Sequence, residues 1–233
     1  MIIKEEIVLP NIYAITYDSQ YDLCMAFVRM QEFYESSSSK FRGKYFTLED
    51  YMDYWASEFG NGVFDYTVKW NGFNLPSKVV HKWIDLFGDS RPTQPLRDRE
   101  EEILEVIGEL GMQEGCEGWP EKYYVIGVHT EKSEKYRQEA IEHECAHALY
   151  YLYPAYKKAC NKLISKMDGD RIDKALAKLL KMGYGKNVLK DELQAYFSTE
   201  EKISTHKGLG GIKEFAQNFK EYKAKWVEKN NLK

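Results

Sequence analysis

Two histidines four residues apart, with a glutamate directly after the first, stand at His143-Glu144-Cys145-Ala146-His147. On a helix this spacing puts both imidazoles on one face, one turn apart. So placed, they can share one Zn²⁺, with Glu144 beside the metal as a general base. The chain has only five histidines in 233 residues, so the pattern is not a by-product of a histidine-rich composition. The bland alternative is a pair of structural or surface histidines.

The flanking residues favour a helix. With His143 at 0° and about 100° per residue, His147 falls at about 40°, Ala140 at about 60° and Glu144 at about 100°. Ile141, Cys145, Ala148, Leu149 and Leu152 gather between about 140° and 240°, an apolar face opposite the histidines. Ser133 is placed to cap the start and Pro154 to stop the helix, which is expected over about 134–153.

A catalytic zinc takes three protein ligands and keeps one position for water. The histidines supply two, and Tyr150 to Lys158 holds neither the glycine nor the histidine of a metzincin-type extension. The best third candidate is Glu192. Leu189, Leu193, Tyr196 and Phe197 form the apolar arc of an expected helix over about 188–199, and Glu192 borders that arc. A carboxylate at the margin of a buried stripe is costly unless a cation pairs with it. Asp191 and His206 are rivals for the ligand position, and a solvated Glu192 is the reading without a metal. Tyr196, Tyr184 and His206 are the candidate donors to a developing oxyanion.

His143-Glu144-x-x-His147, followed on a second helix by Glu192-x-x-Ala195-Tyr196, resembles the gluzincins, the thermolysin-like zinc metallopeptidases. The resemblance covers about 120–200. It implies His143, His147 and Glu192 as zinc ligands and Glu144 as catalytic base. It also implies a sheet whose edge strand borders the cleft, here placed at Tyr123–His129, where an extended peptide could pair with it. The commoner second motif of that family has an acidic residue four after the glutamate. Here that position is Tyr196, so the resemblance does not supply a carboxylate behind the ligands.

The elements that must position these residues read as α+β, with a small mixed sheet and a mostly helical C-terminal half. Strands are expected over 5–17, split at Pro10-Asn11, over Val63–Trp70 and over Tyr123–His129. Helices are expected over 20–34, from Thr47-Leu48-Glu49-Asp50 onward, over 78–87, 96–110, 155–167, 170–182 and 211–228, the last with a stripe of Ile212, Phe215, Phe219, Tyr222 and Trp226. The break at Gly88–Pro95 suggests an N-terminal α+β part over 1–95 and a zincin-like core over 96–233, or one continuous domain. The serine-rich Glu35–Lys44 stretch is a candidate lid on composition alone.

Net charge is −4, with both signs interspersed, so nucleic acid and anionic membranes are not expected partners. No stretch approaches the 18 or so apolar residues of a membrane span. The four cysteines lie far apart and no secretory pattern opens the chain. Free thiols and a cytoplasmic location are therefore expected. Together these readings predict a zinc-dependent hydrolase acting on a peptide or protein substrate. The alternatives are a protein-binding module built on Trp55, Trp70 and Trp83, with a structural metal or none, and a hydrolase of a non-peptide substrate.

Overall fold

The computed structural model describes residues 1–87, 96–117, 119–182, 184–186, 188–199 and 212–229. Strand β1 (Ile2–Leu9) turns through Pro10 and Asn11 into β2 (Ile12–Tyr17), and the two pair antiparallel. Asn11 takes the left-handed backbone such a turn needs, with φ 61°. Glu114 fastens the turn, accepting from the Asn11 backbone N–H at 3.0 Å and from the Tyr13 hydroxyl at 2.7 Å.

Helix α1 (Gln20–Glu35) starts where the Ser19 side chain accepts from the Asp22 N–H, and α2 (Leu48–Glu58) starts on a reciprocal Thr47/Asp50 capping box. The expected strand over Val63–Trp70 does not form. Tyr66–Val68 is a 3-10 turn, with Val68 and Lys69 donating back to the carbonyls of Asp65 and Tyr66. Alternate positions do not share a face there: Tyr66 is 1% exposed and Val68 67%. The strand begins one turn later, as β3 (Gly72–Pro76), and leads into α3 (Ser77–Phe87). Helix α4 (Asp98–Gln113) and β4 (Tyr124–His129) follow.

The sheet order is β1-β2-β4-β3. Strand β4 is parallel to β2 on one side and antiparallel to β3 on the other. Tyr124–His129 is therefore central rather than the expected edge, and no row of its backbone groups is left for an added peptide strand. All six of its residues are buried, the mark of a strand covered on both faces. The remainder is helical: α5 (Glu134–Leu152), α6 (Pro154–Ile164), α7 (Gly169–Lys181), α8 (Leu189–Thr199) and α9 (Lys213–Lys229). The class is α+β.

The chain divides into two compact units, Met1–Ile141 and Glu142–Lys233, so the expected joint at 95/96 falls inside the first. The break at Gly88–Pro95 itself lies outside the described residues. The first unit has an aromatic-rich core. The buried Arg29–Glu100 ion pair, 2.8 Å from Nε to Oε1, joins α1 to α4 within it. Trp83 is fully buried and stacked on Phe87, so it cannot serve the surface expected of it. The candidate lid is pinned: Phe41 is buried against Phe46 and Tyr51, and the Gly43 N–H donates to the Phe33 carbonyl. In the second unit, Phe197 of α8 packs on Phe215 of α9, and Tyr156 of α6 on Tyr222. The Trp226 side chain lies outside the described residues.

Candidate metal centre

Helix α5 begins as its sequence dictates. Ser133 Oγ accepts from the Tyr136 N–H at 3.2 Å, and Arg137 anchors the first turns on Glu6 and Thr16. Pro154 ends it and also opens α6, where its fixed φ and missing N–H are no handicap. The stretch Cys145–Tyr150 is buried on every side rather than on one stripe, so the helix is less amphipathic than its sequence suggests.

The rings of His143 and His147 lie with centroids 5.1 Å apart, steeply inclined at 74°. Glu192 of α8 joins them, with its Oε1 3.7 Å from His147 Nε2. One donor atom from each of His143, His147 and Glu192 lies within 4.8 Å of the others. Donors about 2.0–2.2 Å from a tetrahedral zinc sit roughly 3.4 Å apart, so closing on an ion requires side-chain shifts under about 1 Å.

Hydrogen-bond bookkeeping sets both ring tautomers. Thr199 Oγ1 gives its one proton to the Ala195 carbonyl at 2.8 Å, so at 3.3 Å from His143 Nδ1 it accepts. His147 Nδ1 lies 2.9 Å from Asp191 Oδ1, an acceptor. In the neutral rings the proton sits on Nδ1 and the lone pair on Nε2, the arrangement a bound cation uses. Asp191, a rival for the ligand position, is thus on the far nitrogen of His147.

The charge balance agrees. His147 is 4% exposed and Glu192 8%. Burial pulls the His147 pKa down, but Asp191, Glu192 and Glu144 together carry it well above the ordinary histidine value. Three carboxylates acting on one buried imidazole make a site of negative potential that a cation would neutralise. Glu144 is half-buried beside His143 in sequence, and its charge is felt at both His147 and Tyr196.

Tyr196 is buried, with its ring 4.6 Å from that of His143 and its hydroxyl 2.9 Å from Tyr184 Oη. Burial and the neighbouring Tyr184 raise its pKa, so it keeps its proton and remains a donor. His206, the third candidate donor, lies outside the described residues. The roles of Asp191 and Thr199 were not read from the sequence. Thr199 carries a signal, since it follows Glu192 by seven residues, two helical turns, and so shares its face. Asp191 carries none that separates it from a ligand.

No protein-family model, curated protein or solved structure matches the chain.

Proposed function

We propose that the chain is a zinc-dependent hydrolase, most specifically a metallopeptidase, with His143, His147 and Glu192 as the ligands. The observation that carries this reading is the convergence of the three donors, with the Nδ1 atoms of both histidines engaged by Thr199 and Asp191 and Glu144 following the first. The chemistry that zinc supplies in such a site is Lewis acidity, which acidifies water and polarises a carbonyl oxygen. The Glu144 carboxylate takes the proton from the attacking water and returns it to the leaving amine. The Tyr196 hydroxyl donates to the carbonyl oxygen as charge develops there, with Tyr184 holding it in place. The choice of a peptide bond rests on the similarity of the Glu192-x-x-Ala195-Tyr196 pattern to the gluzincins.

Glu144→Gln tests the reading. Metal should be retained while hydrolysis of an unfolded casein falls by at least about 100-fold. A variant that binds metal and still cleaves at the wild-type rate removes Glu144 from the mechanism.

A further inference from the structure

Asp191 and Glu192 are adjacent carboxylates on α8, and either could face a metal. What separates them lies behind the site. The Gln194 side-chain amide donates from Nε2 to Asp191 Oδ1 at 3.0 Å and to the Ala146 carbonyl at 3.0 Å. Ala146 precedes His147 on α5, so one side chain holds both the histidine's helix and the carboxylate that orients its ring. The amide could serve neither acceptor if it were flipped. Its orientation is set from the other end, where the Tyr156 hydroxyl of α6 donates to Gln194 Oε1 at 2.9 Å. Gln194 and Tyr156 are both fully buried, and Ser198 Oγ lies 3.4 Å from Tyr156 Oη. Every hydrogen of the Gln194 amide has an acceptor. A buried amide this fully bonded has one orientation.

We propose that Tyr156 and Gln194 are positioning residues. Acting through Asp191, they set the ring of His147 and hold Asp191 off the metal, so that Glu192 is the carboxylate presented. This inference rests on the metal reading above. Neither residue touches a ligand donor directly. Tyr156→Phe removes only the hydroxyl that fixes the amide. Gln194→Met keeps the length of the side chain and releases Asp191.

The test is Zn²⁺ affinity by chelator competition and the visible spectrum of the Co²⁺ form, on wild type, both variants and Leu179→Ala. Leu179 is a fully buried residue of α7 in the same unit and serves as a purely structural lesion. Melting in EDTA monitors the fold. Affinity should fall about 10- to 100-fold in Gln194→Met and less in Tyr156→Phe. The Co²⁺ bands should shift as Asp191 becomes able to compete, and Leu179→Ala should lower the melting temperature without moving them. Wild-type affinity and an unchanged spectrum in both variants overturn the positioning role while leaving the metal site standing. Equal losses in Leu179→Ala overturn it too, since they make the effect one of stability alone. Failure of the wild type to bind either ion overturns the metal reading itself and this inference with it.

Discussion

Replacing Glu100 by glutamine should be among the most damaging conservative changes in the first unit. Arg29 is 4% exposed and Glu100 2%. Two hydrogen bonds join them, Nε to Oε1 at 2.8 Å and Nη2 to Oε2 at 2.9 Å. The guanidinium also lies 5.0 Å from the Trp83 ring and 4.7 Å from Phe87, so its surroundings are largely apolar. Glutamine has nearly the same volume but no charge, and its amide nitrogen opposes a guanidinium N–H. Breaking a buried pair from one side costs about 3–5 kcal/mol, because the remaining charge is stranded. With a urea slope of about 1–3 kcal/mol per molar, the midpoint should drop by about 1–5 M. Urea unfolding followed by tryptophan fluorescence reads this directly, since Trp55, Trp70, Trp83 and Trp119 all lie in Met1–Ile141. The double variant Arg29→Met/Glu100→Leu, which removes both charges, should recover most of the loss. A cost below about 1 kcal/mol in the single variant, the value of a solvated surface pair, would refute the argument.

Two further outcomes follow from the sheet. His129 is 2% exposed, and neither ring nitrogen has a hydrogen-bond partner among the described residues. Burial lowers its pKa below the ordinary value, so at acid pH the unfolded chain takes up a proton there that the folded chain refuses. Stability from this group is therefore complete above about pH 6.5 and falls as pH drops below it. His129→Phe should lose less stability than wild type between about pH 7.5 and pH 5.5 in urea titrations; equal losses would show that His129 is not held neutral. Gly127→Ala should cost about 1–3 kcal/mol by overpacking, because the added Cβ would lie 2.7 Å from the Phe27 ring and 2.8 Å from Leu23 Cδ1. Thermal melting checks this, and a neutral result would mean that α1 can move off the sheet.

The motif helix was legible because capping, periodicity and a proline stop all agree around His143 and His147. Glu192 was legible for a related reason: a carboxylate at the border of an apolar arc has to be accounted for. What escaped depends on pairing partners. Tyr123–His129 is as apolar as a central strand, but a single sequence does not show that β3 lies beyond it, and the gluzincin resemblance placed it at an edge. Val63–Trp70 alternates in sequence, yet Tyr66 is drawn into the core by Trp55, Phe64 and Phe73, which bends the chain into a turn. Asp191 was unreadable as the partner of His147 because that role depends on Gln194 and Tyr156, the latter from a different helix.

The central claim is a metal held by His143, His147 and Glu192. Metal content of the purified protein, by plasma mass spectrometry on wild type and Glu192→Ala, tests it most directly. The account predicts about one zinc per wild-type chain and a sharp loss in the variant. Full occupancy in the variant, or no zinc in wild type even after reconstitution, would contradict it.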